Sequence, residues 1–140
     1  MHFYILRRLS ILSEVPTLLK GLIMIEVRKL PRPPIHTPKL YEQESLGNQA
    51  IVYAHYFVPG TAQDWYVTEF DSEKDLIFGW AELIPGFGEF GYSDLNEIES
   101  ITTSVTLRIN GHANVITLPV VVEYDSHWKE ITIGEVLSSR

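Results

Sequence analysis

The fold is decided between residues 65 and 84, which read W-Y-V-T-E-F-D-S-E-K-D-L-I-F-G-W-A-E-L-I. Two runs of aromatic and β-branched residues, 65–71 and 76–84, flank the polar stretch 72–75, which is the pattern of an antiparallel β-hairpin. The run A-I-V-Y-A-H-Y-F-V over 50–58 predicts a further strand. We therefore expect an α+β fold, an antiparallel β-sheet with one or two short helices.

Local turn and capping signals extend this prediction toward the C-terminus. Ser93 is the predicted cap of a short helix, because acidic residues follow it in the first turn. Asn110-Gly111 is the strongest two-residue hairpin signal in the chain. Thr132 and Glu135 have the spacing of a capping box, which predicts a last helical turn.

Composition divides the chain into three predicted parts. Residues 1–29 form an apolar and basic extension, either an amphipathic helix or a non-native segment ahead of an alternative start at Met24. Residues 30–39 contain four prolines and are expected to form an extended connector. Residues 40–140 are expected to form the α+β domain. No apolar run reaches the length of a membrane span, and we expect a cytoplasmic protein.

Charge is divided between these parts. Residues 1–40 carry seven Lys and Arg against two Glu, a balance of +5, and residues 41–140 carry four against sixteen Asp and Glu, a balance of -12. An acidic body repels nucleic acid, because DNA binding rests on neutralising phosphates. Nucleic acid would contact only the basic arm at Arg28, Lys29, Arg32 and Lys39, for which a solvated linker is the alternative interpretation. The absence of cysteine excludes disulfides, thiol catalysis and Cys-based zinc sites.

Two patterns suggest chemistry without completing a site. Residues 86–91 read G-F-G-E-F-G and match the dinucleotide-binding fingerprint, but the predicted hairpin and short helix lack the βαβ unit that it requires. Glu69 and Asp71 alternate along a strand, about 7 Å apart, as in cation or acid–base sites. Asp125 is spaced to orient the imidazole of His127. An exposed strand end is the alternative for the two carboxylates, and no catalytic residue, metal or cofactor is assigned.

Aromatic residues are concentrated around the same strands, with eleven of the sixteen between residues 53 and 92. Strict alternation places Tyr66 and Phe70 on one side of the sheet and Trp65, Glu69 and Asp71 on the other. If only one face supplies the core, the surplus rings are exposed, as at protein-binding hot spots. A small core that relies on large rings for buried area is the competing interpretation. The candidate binding residues are Trp65, Tyr66, Glu69, Asp71, Trp80, Phe87, Phe90 and Tyr92.

These strings together resemble a bacterial family, the domain of unknown function DUF2958. The resemblance covers about residues 38–137 and rests on the opening P-x-L-Y, on I-V-Y-A-H-Y-F, on W-Y-V-T-E-F-D, on I-F-G-W, on G-E-F-G-Y-S-D-L-N-E-I-E, on V-E-x-D and on a terminal E-V. Residues 102–118 look like an insertion, and the basic N-terminal forty residues lie outside the pattern. The resemblance implies an accessory protein of plasmids, phages and other mobile elements, without an assigned catalytic residue.

Three functional hypotheses follow from the sequence. The first is a non-enzymatic interaction module of a mobile element that binds an unknown protein partner through exposed aromatic and acidic residues. The second is an acidic decoy that imitates DNA and inhibits a host defence enzyme, as suggested by the charge of residues 41–140. The third is a hydrolase or metal enzyme that uses Glu69, Asp71 and His127, and it requires these three groups to converge.

Overall fold

The computed structural model describes residues 29–108 and 115–140, so the predictions for residues 1–28 and for the Asn110-Gly111 turn lie outside the described residues. Short helices and nine strands follow one another along this part of the chain. In chain order they are a 3-10 helix η1 (Glu44–Gln49), β1 (Ile51–Val52), β2 (Ala54–Phe57), β3 (Asp64–Asp71), β4 (Leu76–Glu82), β5 (Gly88–Asp94), α1 (Leu95–Glu99), β6 (Thr102–Arg108), β7 (Val115–Val121), β8 (Glu123–Tyr124), β9 (Ile131–Thr132) and α2 (Ile133–Ser138).

The centre of the fold is an antiparallel five-stranded sheet in the order β5-β4-β3-β2-β8. The predicted hairpin is confirmed, since Asp71 pairs with Leu76 across the turn at 72–75. Strands β6 and β7 form a separate two-stranded ribbon, and β1 pairs with β9. The α+β fold predicted from the sequence is confirmed. Within the described ranges, no helix is long and apolar enough to cross a membrane.

Both faces of this sheet are covered, which corrects the expectation that only one face supplies the core. A first core on one face contains Tyr56, Trp65 and Val67 with Leu95 and Ile98 of α1. A second core on the other face is built by Ala50, Val52, Tyr66, Ile133 and Val136. Residues 65–69 are all buried, because the side chains on both sides of β3 contact a layer that covers the sheet.

A β-bulge interrupts the alternation of β3. The register with β4 shifts between Val67, which pairs with Gly79, and Glu69, which pairs with Phe78. An extra residue in one strand reverses the side-chain alternation beyond it. Phe70 therefore packs with Trp65 and Val67 against the first core. The prediction of strict alternation, with Phe70 on the side of Tyr66, is wrong at this point.

The proline-rich segment 30–39 packs against the sheet and is not a connector outside it. Leu30 is 5% exposed and belongs to the first core. Arg32 forms ion pairs with Asp75 and with Glu99. These contacts engage one of the four cations of the predicted basic arm.

The two helix caps are close to their predicted places. Asp94, and not Ser93, caps α1, because its side chain accepts a hydrogen bond from the backbone N–H of Asn96. Ser93 is still part of β5 and pairs with Ile77. Thr132 caps α2 as predicted, and its hydroxyl accepts from the N–H of Glu135.

Candidate interaction surface

A row of four aromatic side chains in contact, here called the aromatic ladder, crosses from β4 to the edge strand β5. Phe78 lies opposite Tyr92, with ring centroids 4.9 Å apart, and Trp80 lies opposite Phe90 at 5.2 Å. Phe78 also stacks on Phe90 at 6.0 Å. Cross-strand aromatic pairs of this kind stabilise a sheet beyond the area that they bury. The ladder is therefore a rigid part of the sheet.

One end of the ladder packs against the second core, and the other end is exposed. Trp80 and Phe90 pack against that core, whereas Tyr92 is 46% exposed. Partial desolvation raises the pKa of Tyr92 above its ordinary value, with further contributions from the hydroxyl of Tyr41 and the charge of Glu44. These neighbours show that the loop before η1 lies beside the exposed end of the ladder.

A buried carboxylate holds that loop in place. The two oxygens of Glu69 accept hydrogen bonds from the backbone N–H groups of Tyr41, at 2.8 Å, and Gln43, at 2.6 Å. Glu69 itself has no exposed surface, and Tyr41 is 67% exposed with a positive φ of 76°. A side chain in the core thus fixes the backbone that presents an exposed aromatic ring to solvent.

The β4–β5 turn carries a second exposed apolar group. Leu83, Ile84 and Phe87 are 46%, 63% and 76% exposed. The turn closes through a hydrogen bond from the N–H of Phe87 to the carbonyl of Ile84 and through Gly86, whose φ of +82° suits glycine. The three side chains border a shallow hollow of about 420 Å³ that also contacts Glu89.

Two carboxylates at this surface have no ion-pair partner. Within residues 29–108 and 115–140, neither Glu44 of η1 nor the exposed Glu89 of β5 forms a salt bridge. Six other carboxylates of the acidic body form ion pairs among the described residues, as Asp75 and Glu99 do with Arg32. The charges of Glu44 and Glu89 are therefore not neutralised by an ion pair within the described residues.

The structure separates the predicted binding residues into buried and accessible groups. Trp65 and Tyr66 are only 4% and 8% exposed, and Glu69 is fully buried, so these three do not belong to an exposed surface. They lie inside because both faces of β3 are covered. Phe87 and Tyr92 are exposed, while Trp80 and Phe90 are partly buried in the ladder. Sequence reasoning missed Tyr41, whose position depends on the distant Glu69.

Asp71 closes the β3–β4 turn and is not part of a carboxylate pair. Its Oδ1 accepts hydrogen bonds from the N–H groups of Glu73 and Lys74. It borders a hollow of about 400 Å³ beside Tyr41, in which no imidazole takes part. Glu69 is fully buried and binds the backbone of residues 41 and 43, whereas Asp71 binds the turn, so the two carboxylates do not form an exposed pair.

The aspartate that was expected to orient His127 instead holds His55. The two ring nitrogens of His55 lie 2.7 Å from Oδ1 of Asp64 and 3.1 Å from Oδ2 of Asp125. The imidazole stacks on Tyr66 with centroids 4.6 Å apart. Burial raises the pKa of the Tyr66 hydroxyl to about 12, and the nearby Asp64 charge adds to this. Both ring nitrogens of His55 are thus occupied by carboxylates of the fold.

The residues of the enzyme hypothesis do not converge. In the described ranges, no hydrogen bond joins the side chains of Glu69, Asp71 and His127, and no group of three or more His, Asp or Glu residues is arranged to hold a metal ion. His127 is exposed, and only its backbone N–H binds Asp125. The three residues of this hypothesis therefore do not form one site in the described part of the chain.

The comparisons with known proteins identify the family. No curated protein and no solved structure matches the chain. The family model described as protein of unknown function (DUF2958) matches residues 38–127, which include the aromatic ladder and the Glu69 anchor. This match covers more than half of the chain and agrees with the resemblance noted in the sequence. The protein is therefore a member of the DUF2958 family.

Proposed function

We propose that this protein is a non-enzymatic interaction module that binds a protein partner through Tyr41, Tyr92 and the tip residues Leu83, Ile84 and Phe87. The observation that carries the proposal is the exposure of these large side chains on rigid supports, 67% for Tyr41 and 46% for Tyr92. Burying such rings on association is favourable, and aromatic residues dominate the energetics of many interfaces.

The supports of this surface favour binding for a second reason. Tyr92 packs against Phe78 in the ladder, and the backbone of Tyr41 is fixed by Glu69. Side chains that are already ordered lose less conformational entropy when they become buried in an interface. The aromatic side chains of this surface are therefore already ordered before a partner binds.

The test compares variants by partner capture. Tagged protein expressed in its native host is expected to co-purify with a partner, and Tyr92→Ala or Phe87→Ala should reduce the captured amount by at least about tenfold, which corresponds to a hot spot of about 1.4 kcal/mol. Ile35→Ala is the matched control, because Ile35 is fully exposed and lies outside the surface. Equal capture by all three variants would refute the proposal.

The acidic-decoy hypothesis has less support from the observed contacts. A DNA mimic needs carboxylates that are free to imitate phosphate, but Asp64 and Asp125 bind His55, and Asp75 and Glu99 bind Arg32. The enzyme hypothesis lacks its convergent groups. The role in a mobile element and the cytoplasmic location stay predictions drawn from the sequence.

A further inference from the structure

Strand β5 forms an open edge of the central sheet. It is the last strand in the order β5-β4-β3-β2-β8, and its seven residues pair with β4 without a break in register. Within the described ranges, no hydrogen bond reaches the outer side of this strand. An edge of this kind presents a row of backbone N–H and C=O groups that another strand can pair with.

Among the residues that the structure describes, β5 lacks the usual protections of a sheet edge. Proteins block edges with proline, lysine, bulges or very short strands. The opposite edge strand, β8, has only two residues, and β7 of the separate ribbon contains Pro119. Strand β5 reads G-E-F-G-Y-S-D and has neither proline nor lysine. The charge of Glu89 is the one clear protection that β5 has. A partner segment with a positive charge would be attracted by it.

The two faces of β5 differ in chemistry. Phe90 and Tyr92 lie on the face of the ladder, and Glu89 alternates with them on the other face. A strand added beside β5 places its own side chains alternately on the same two faces. Apolar side chains would then pack against the rings, and basic side chains would approach Glu89.

Charge around the ladder favours the same kind of segment. Glu44 contributes to the electrostatic environment of Tyr92 and has no ion-pair partner among the described residues. The whole chain carries a formal charge of -7 at pH 7. Attraction between opposite charges accelerates association and disfavours acidic competitors. We propose that β5 binds, by strand addition, an extended partner segment in which apolar and basic residues alternate.

This inference rests on the proposed function, because it assigns a binding mode and a partner chemistry to the same surface. A second copy of the chain is a less suitable occupant, since pairing β5 with itself would bring together two acidic surfaces that include Glu89 and Glu44. The open edge and the unpaired carboxylates together define the partner segment. Pairing with the edge requires an extended backbone, and attraction to the carboxylates requires Lys or Arg.

The probe is a blocked peptide of about nine alternating valine and lysine residues, long enough to pair with a strand of ordinary length. We expect saturable binding to the full chain, measured by fluorescence anisotropy, with amide chemical-shift changes concentrated in residues 88–94. Peptides N-methylated at only odd or only even positions should differ by at least about tenfold in affinity, because alternate N–H groups face the edge.

Two side-chain variants test the chemistry of the partner. Glu89→Gln should weaken binding of the valine–lysine peptide by about two- to fivefold, as expected for an exposed charge pair. Glu97→Gln is the charge-matched control, because Glu97 is exposed on α1 and lies outside β5. A peptide that alternates valine and glutamate should bind at least about tenfold more weakly than the lysine peptide.

The outcomes separate this inference from the proposed function. Strand addition is overturned if the valine–lysine peptide does not bind at about 1 mM, if the two N-methylated peptides bind equally, or if the shifts fall outside β5. It is also overturned if sedimentation shows a dimer that Tyr92→Ala dissociates, since the occupant is then a second copy. Any of these results combined with partner capture that still depends on Tyr92 and Phe87 leaves the proposed function standing.

Discussion

At the scale of single residues, Glu69 illustrates how a charged side chain becomes structural. It is fully buried, and both of its oxygens accept backbone N–H groups from residues 41 and 43. Gln43 completes the network, because its side-chain amide donates to the carbonyls of Ile51 and Thr68. A buried carboxylate is tolerated only when such donors replace its water. The same carboxylate fixes the loop that carries Tyr41.

Replacing Glu69 by Gln should destabilise the protein by about 2–3 kcal/mol, because the amide NH2 group would face an N–H donor where an oxygen now accepts. Urea denaturation measures the loss. Glu73→Gln changes the same chemical group on the exposed β3–β4 turn and should stay within about 0.5 kcal/mol of the wild type. If the two variants unfold at the same urea concentration, Glu69 does not have this role.

Arg32 connects the proline-rich segment to the body and makes stability depend on pH. The hydrogen bond from its guanidinium holds the pKa of Asp75 below the ordinary value. The unfolded chain therefore binds a proton at this position more readily than the folded chain. The contribution of Asp75 is present at neutral pH and is lost as the pH falls below about 4, the ordinary pKa of aspartate.

The wild type should consequently lose more stability than Asp75→Asn when the pH is lowered from 7 to about 3. Both proteins retain their other carboxylates, so the difference between the two losses reports Asp75 alone. Urea unfolding at a series of pH values measures each free energy. Parallel curves for the two proteins would show that the ion pair with Arg32 contributes nothing in solution.

At the scale of elements, the β3–β4 hairpin depends on one glycine opposite the bulge. Gly79 pairs with Val67 on one side and with Gly91 of β5 on the other. A Cβ atom at residue 79 would lie 1.8 Å from the carbonyl oxygen of Tyr66 and 3.1 Å from the N atom of Thr68. Both contacts are to backbone atoms, which cannot move without breaking the interstrand hydrogen bonds. The bulge and this close approach are therefore parts of the same local arrangement.

Gly79→Ala should destabilise the protein by about 3 kcal/mol or more, or prevent folding, since the new methyl group overlaps the backbone of β3. Gly91→Ala is a closely matched control. It lies directly across from Gly79, and no atom lies within 4 Å of its Cβ position. We expect this control to change stability by less than about 1 kcal/mol. Similar thermal midpoints for the two variants would contradict the assigned overlap.

At the scale of the whole molecule, the sequence predicts what depends on neighbours in the chain and misses what depends on distant ones. The β3–β4 hairpin and the Thr132 cap are local features, and both are confirmed. The second covering layer is not local, because Ile133 and Val136 return to the sheet from the end of the chain. The partners of His55 and Arg32 are likewise remote in sequence. The aromatic surface was therefore predicted with too many exposed rings.

The remote layer raises the question of whether the molecule has one folding unit or two. Trp65 lies in the first core and Trp128 packs against the second, so each core contains its own fluorescent probe. The two cores are separated only by the sheet, and the same strand, β3, supplies Trp65 to one and Tyr66 to the other. Neither layer can leave without exposing side chains of β3. Single domains of this size commonly unfold in one cooperative transition.

We therefore expect Ile98→Ala in the first core and Ile133→Ala in the second each to cost about 2–5 kcal/mol, as buried isoleucine truncations do. In a Trp80→Phe background, single-tryptophan versions that retain Trp65 or Trp128 should report one shared urea midpoint for either variant. The sheet makes this necessary, since loss of α2 packing exposes Tyr66 and weakens the strand that also carries Trp65. If Ile133→Ala lowers only the midpoint reported by Trp128, the second layer unfolds separately. The layer against which the aromatic ladder packs can then detach from the sheet while the first core stays folded.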